Sequence, residues 1–179
     1  MYAHTITLGV LAAMALGVLV KPAPRFTLGT TGAVTLNAAG NDARYGLIPA
    51  EVNGRGMISV TLGATNSEGS LVLYMRGDRT PQEGRYPIAG SWNDGGNEGH
   101  PFHACFVAGS PEQPLGWFQG VSGWVTITDA EPGGLSGAFE IRARGFLGAN
   151  PDDENQWVTV RGTFRAQGDS TMATIASLD

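Results

Sequence analysis

The sequence predicts an all-β domain, an antiparallel β-sandwich or partly closed barrel, preceded by one N-terminal transmembrane helix. The first observation is that apolar and polar residues alternate along many short segments, as in a strand with one buried and one wet face. The second is that the 179 residues include 27 glycines and 10 prolines, which suit the frequent turns of a β domain. The third is that residues 1–20 contain no Asp, Glu, Lys or Arg.

The alternation is clearest in the last third of the chain, in GWVTITD (123–129), LSGAFEIRARG (135–145) and QWVTVRGTFRA (156–166). Each segment predicts a strand with one wet face, and sheets of this kind are antiparallel. AEPGG (130–134) predicts the turn between the first two strands, because proline presets φ and glycine accepts positive φ. The predicted apolar face consists of Val125, Ile127, Leu135, Phe139, Ile141, Ala143, Val158, Val160 and Phe164. The opposite face carries Thr126, Glu140, Arg142, Arg144, Thr159, Arg161 and Arg165.

Earlier segments predict further strands. GMISVTLG (56–63) and SLVLYMRG (70–77) alternate on either side of a turn-like stretch, which predicts a hairpin. Additional strands are predicted at 33–37, 85–89, 102–108 and 172–178. This number of strands suits a sandwich or a partly closed barrel.

Residues 1–20 predict a helix that spans a membrane and is retained. Twenty helical residues rising about 1.5 Å each reach roughly 30 Å, the thickness of the hydrocarbon core. Lys21, Pro22 and Pro24 end the segment. A cleaved leader is less well matched, because no basic residue precedes the apolar run. The predicted organisation is an anchor at 1–20, a short Pro/Gly linker at 21–32 and the β domain at 33–179.

The anchor also carries a stripe of small residues. Gly9, Ala13 and Gly17 lie four residues apart and therefore fall on one face of a helix. Small residues at this spacing let a second helix backbone approach closely within the bilayer. The stripe predicts that the anchor packs against another transmembrane helix.

The charge and the cysteine content limit the classes of partner and bear on the cellular compartment of the domain. The net charge is −5, with one Lys against ten Arg, which argues against a nucleic-acid partner. The single cysteine, Cys105, excludes an internal disulfide. Lys21 and Arg25 follow the anchor, which favours a cytoplasmic domain by the positive-inside rule. A domain poor in Lys and rich in Thr, Gly and Asn is more typical of export, so the periplasm is predicted.

Two polar segments contain residue types that bind metal ions. NDGGNEGHPFHACF (93–106) contains the zinc ligand types in His100, His103 and Cys105, but their spacing matches no closed structural site. A loop beside a buried cysteine accounts for the segment equally well, and no bound metal is predicted. NPDDEN (150–155) lacks the spacing of an EF-hand loop and predicts a solvated loop.

Aromatic residues are the main candidates for an interaction surface. Trp117 and Phe118 fall in PEQPLGWFQG (111–120), which predicts an exposed loop with an apolar tip. Trp124 and Trp157 fall opposite the predicted apolar face. Exposed tryptophan marks a protein, carbohydrate or membrane interface. The alternative is that these rings form a second layer of core.

No catalytic motif accompanies these features. The chain lacks a G-x-S-x-G elbow, a phosphate-binding glycine loop that opens a helix, and H-E-x-x-H. The prediction is a non-enzyme without cofactors, a structural subunit that packs on integral membrane subunits and the bilayer of a bacterial membrane complex. A photosynthetic reaction centre with its antenna is one such setting. The alternative is an exported β-sandwich that binds a glycan or a metal, with its leader cleaved.

Overall fold

Ten β-strands form the part of the chain described by the computed structural model, which is residues 23–48, 56–65, 68–77, 79–90, 101–110, 112–131, 133–148 and 155–168. All ten belong to one sheet, and every strand pairing except one is antiparallel, as predicted. The strands are β1 (Arg25–Gly32), β2 (Leu36–Gly40), β3 (Ala43–Ile48), β4 (Met57–Leu62), β5 (Gly69–Arg76), β6 (Gly84–Pro87), β7 (His103–Gly109), β8 (Pro114–Glu131), β9 (Gly134–Leu147) and β10 (Gln156–Gly168).

The sheet closes on itself through β10. One edge of β10 pairs with β9 along its length, and the other edge pairs first with β1 and then, in parallel, with β3. From β3 the pairing continues through β4, β5, β7 and β8 back to β9. A ring of seven strands results, and two pieces extend it outward: the β1–β2 hairpin beside β10, and β6 beside β8. The closed arrangement agrees with the barrel alternative among the predicted architectures.

The three long strands β8, β9 and β10 show the faces that the sequence predicted. Val125 lies opposite Phe139, and Val160 lies opposite Ile141, so the apolar side chains of neighbouring strands face each other. All nine residues predicted for the apolar face are at most 4% exposed. The rings of Phe139 and Phe164 stack with their centroids 6.4 Å apart. The predicted turn lies between Glu131 and Gly134.

Two glycines lie where neighbouring strands of the sheet approach each other closely. A Cβ on Gly162 would overlap the backbone oxygen of Thr27 and come within 2.6 Å of the Phe139 ring. Gly123 has φ +128°, a conformation that L side chains rarely adopt, and it lies beside a shift of register in β8. Close contact of β1, β9 and β10 therefore depends on the absence of a side chain at position 162.

Three local predictions differ from the structure. The predicted linker at 21–32 contains β1, since Phe26, Leu28 and Thr30 alternate into the core and the strand pairs with β10. The predicted exposed loop at 111–120 is wrong from Pro114 onward, where β8 begins and pairs with β7. The strand predicted at 33–37 is β2 and covers Leu36–Gly40. The predicted hairpin is confirmed by the pairing of β4 with β5.

The predicted anchor at 1–20 and the predicted strand at 172–178 lie outside the described residues. None of the described residues forms a helix with the length and apolar character needed to cross a bilayer.

Candidate functional site

The outer face of β6, β8, β9, β10 and β1 is the most distinctive surface of the described structure. Side chains on a strand alternate between the two faces of a sheet, so residues paired in register point the same way. Trp124, Glu140 and Arg161 form one such row across β8, β9 and β10. Gln119, Arg144 and Trp157 form a second row. The predicted polar face is therefore one continuous outer surface.

The four aromatic residues predicted as an interface divide into two groups. Trp117 is 44% exposed and Trp157 is 37% exposed, whereas Trp124 is half-buried on the same outer face. Phe118 was predicted to be exposed, but it is 1% exposed and packs against Phe106 in the core. The reason is that Trp117 and Phe118 are consecutive residues of a strand, so their side chains point to opposite faces.

Two of the tryptophan rings are covered by arginine. The guanidinium Cζ of Arg142 lies 4.3 Å from the ring centroid of Trp157. The guanidinium Cζ of Arg85 lies 4.7 Å from the ring centroid of Trp124. Both distances are within the range of a cation–π interaction. Each contact places a guanidinium over an indole ring on the outer face.

Six of the ten arginines of the chain lie on this surface, which we call the arginine face. Its members are Arg25, Arg85, Arg142, Arg144, Arg161 and Arg165. The acidic net charge of −5 indicated no basic cluster, because a total charge carries no information about position. The strand register concentrates on one surface charges that are far apart in sequence.

Few described carboxylates compensate this charge. Glu140 accepts a hydrogen bond from Arg161 at 3.0 Å, and the pair is exposed to solvent. Asp129 lies at one end of the face, opposite Ser136. Among the described residues, the arginine face therefore carries more positive than negative charge, on a protein that is acidic overall.

A second surface lies at one end of the same strands, and we call it the apolar tip. Leu115 is 65% exposed at the start of β8, and Leu147 at the end of β9 is paired with Gly116. Trp117 and Val121 border an open depression of about 310 Å³, whose rim also includes Arg144 and Phe146. The large apolar side chains that are exposed among the described residues are Leu115, Trp117, Val121, Leu147 and Trp157. The first two lie at the start of β8 and Leu147 at the end of β9, whereas Val121 is nearer the middle of β8 and Trp157 is at the start of β10.

The residues weighed as metal ligands lie on a different part of the sheet. His103 and Cys105 share the outer face of β7, and the His103 ring stacks on Tyr74 with centroids 5.3 Å apart. Burial raises the pKa of the Cys105 thiol, which keeps it protonated and disfavours the thiolate that metals bind. Burial, followed by the charge of Cys105, raises the pKa of Tyr74. Within the described ranges no three His, Cys, Asp or Glu residues are grouped as metal ligands, and His100 lies outside those ranges.

Sequence reasoning placed Trp117, Trp124 and Trp157 on the outside but missed the arginine face. The alternation in β9 and β10 already put Arg142, Arg144, Arg161 and Arg165 on one side. Arg25 and Arg85 join them only through pairing with strands that are distant in sequence. The predicted helix-packing residues Gly9, Ala13 and Gly17 lie outside the described residues.

Comparisons with protein-family models, with curated proteins and with solved structures find no match to this chain.

Proposed function

We propose that this chain is a non-catalytic accessory subunit of a bacterial membrane protein complex, anchored by residues 1–20 and carrying its β domain in the periplasm. The observation that carries the proposal is the apolar tip. Three of its side chains are large, exposed and lie at one end of β8 and β9, namely Leu115, Trp117 and Leu147. Large apolar side chains exposed close together mark a contact with another protein or a membrane.

The position of the apolar tip favours a protein partner. Arg25, at the entry to the described domain, lies in register with Arg165 and through it with Ser136. Ser136 and Leu147 are eleven residues apart on β9, which is roughly 35 Å along a strand. The apolar tip is therefore at the opposite end of the sheet from the segment that leads to the predicted anchor. In this arrangement the subunit holds the bilayer at one end and a protein neighbour at the other.

The predicted anchor supplies a second contact. The stripe of Gly9, Ala13 and Gly17 offers a flat surface to a transmembrane helix of the partner. A photosynthetic reaction centre with its antenna is one setting in which such a subunit would act as a clamp between pigment proteins.

The alternative function is an exported module that binds a glycan or a metal after loss of its leader. Sugar rings bind by stacking on open aromatic faces. The rings of Trp124 and Trp157 are each covered by a guanidinium, whereas Trp117 is 44% exposed. At the candidate metal site, burial keeps the Cys105 thiol protonated. These observations count against glycan stacking on Trp124 and Trp157 and against a metal-bound thiolate at Cys105.

Purification of the full chain from native membranes in mild detergent tests the proposal. We expect integral membrane proteins to co-purify in a fixed ratio with the intact chain. The variant Gly9→Leu/Gly17→Leu should still sediment with membranes, because its anchor stays apolar, but should lose these partners. The matched control Gly9→Ala/Gly17→Ala keeps small residues in the stripe and should retain them.

Two results would contradict the proposal. One is a mature chain that begins near Leu16 or Lys21 by intact-mass measurement, which would favour the exported module. The other is a full-length chain that detergent extracts from the membrane without any integral membrane protein in a fixed ratio.

A further inference from the structure

An open depression of about 420 Å³ lies on the arginine face where β1, β8, β9 and β10 meet. Arg25 and Arg165 border it, and four hydroxyl side chains complete its polar lining: Thr27, Thr128, Ser136 and Thr163. Its other lining residues are Phe26, Gly137 and Phe164. Among the described residues that line the depression there is no carboxylate, since Asp129 lies opposite Ser136 but is not part of the lining.

The two arginines are direct cross-strand neighbours. Arg25 pairs with Arg165 in register on the outer face, which brings their Cβ atoms to about 4.5–5.5 Å. Like charges directly opposite each other destabilise a sheet. Within the described part of the chain, neither arginine forms an ion pair. This position therefore carries a repulsion that a bound anion would relieve.

The hydroxyl groups are arranged to assist such an anion. The Oγ1 atoms of Thr27 and Thr163 lie 2.9 Å apart, and the backbone N–H of Thr163 donates to Thr27 Oγ1 at 3.2 Å. When the Thr27 hydroxyl donates to Thr163, the hydroxyl hydrogen of Thr163 remains available to a ligand. Two guanidinium forks and nearby hydroxyl donors match the tetrahedral oxygens of a phosphate group.

The position in the chain indicates the source of the phosphate. Arg25 comes five residues after Val20, the end of the apolar segment predicted to span the bilayer. Five residues reach at most about 18 Å, so an anchor at 1–20 would keep the depression near the headgroups. We infer that the depression between Arg25 and Arg165 binds the phosphate of an anionic phospholipid headgroup. The inference rests on the proposed function in one respect, since the predicted anchor brings the depression to the lipid.

Arginine labelling with phenylglyoxal, mapped by mass spectrometry of the purified full chain, tests this inference. The chain is labelled in nonionic detergent, in detergent with inorganic phosphate, in phosphatidylcholine nanodiscs and in nanodiscs that also contain phosphatidylglycerol. We expect Arg25 and Arg165 to react about fivefold more slowly with phosphatidylglycerol than in detergent, the scale of the attraction between one arginine and an anionic surface. Arg79, which is exposed and does not line the depression, is the internal control and should react equally in all four.

A variant distinguishes a specific phosphate site from general electrostatic attraction between the arginines and the anionic bilayer. Thr27→Val/Thr163→Val removes two hydroxyls without changing charge, and β-branched residues suit exposed strand positions. We expect this variant to lose at least half of the protection of Arg165, with an unchanged melting temperature. Full protection in the variant would show that charge alone acts, and would overturn the inference.

The remaining outcomes of the labelling experiment also support or overturn the inference. Protection by inorganic phosphate without protection by phosphatidylglycerol would assign the depression to a soluble phosphate and overturn the lipid source. Equal protection of Arg79 would show general shielding by the bilayer and overturn it as well. If the chain elutes apart from phosphatidylcholine nanodiscs, the anchor of the proposed function fails. In that case, association with phosphatidylglycerol nanodiscs alone still supports the inference, and its absence overturns it.

Discussion

The inward and outward faces of β8, β9 and β10 follow the same backbone but differ in what they do. The inward face is closely packed, with Phe139 2% exposed and Ile141 fully buried. The outward face carries arginine, threonine and tryptophan, several of which contact side chains on neighbouring strands. The inward residues provide the stability of the fold, whereas the outward ones are those that we propose to bind. Substitutions on the two faces should therefore have opposite effects on stability and on binding.

The largest effect is expected at Phe139. Phe139→Ala removes a buried ring that stacks on Phe164, and the loss of free energy of unfolding should be about 3–5 kcal/mol. Urea denaturation followed by tryptophan fluorescence measures it. The control Ala138→Ser, at the adjacent outward position, should change the free energy by less than about 0.5 kcal/mol. A loss below about 1 kcal/mol for Phe139→Ala would mean that the faces are reversed.

A smaller loss of unfolding free energy is expected when Gly162 is replaced. Gly162→Ala places a Cβ against the backbone oxygen of Thr27 and the ring of Phe139, so β1 has to move away from β10. We expect a loss of about 2–3 kcal/mol of unfolding free energy, typical of overpacking. The control is Gly29→Ala, whose Cβ would meet the flexible Asn37 side chain at 3.0 Å. Equal stability of the two variants would contradict the close approach of β1 to β10.

The smallest effect is expected at Arg161. Arg161→Gln breaks the ion pair with Glu140, but both side chains are exposed and solvent screens the attraction. The denaturation midpoint of this variant should match that of the parent chain within experimental error. A clear loss of stability would show that the outward face supports the fold, against the distinction between the two faces.

The inward face could be predicted from sequence because its signal is local. In β10, apolar residues alternate with polar ones over a long run that includes Val158, Val160 and Phe164. The two-residue period of a strand is therefore enough to assign these side chains to the inward face. β1 was missed because RFTLGTTG contains only Phe26, Leu28 and Thr30 as inward residues and follows two prolines. The start of β8 was missed because its inward positions include Gly116 and Gly120, which interrupt the apolar alternation.

Closure of the sheet and the arginine face could not be predicted from local patterns. Closure depends on a parallel pairing of Arg44 and Tyr45 in β3 with Gln167 and Gly168 in β10, far apart in sequence. The Arg25–Arg165 pair likewise requires the register of β1 on β10. The acidic net charge of the whole sequence did not indicate the arginine face, because a net charge does not show where the charged residues lie.

The most direct test of the account replaces apolar side chains on the outward face and measures binding and stability together. Leu115→Ser/Trp117→Ser in the full chain should abolish co-purification of the membrane partners, because it makes the apolar tip polar. Its melting temperature should stay within about 2 °C of the parent, since both side chains are exposed. The conservative control Leu115→Met/Trp117→Phe should keep both the partners and the melting temperature. Retention of the partners by the serine variant, or their loss only together with a lowered melting temperature, would contradict the assignment of binding to this face.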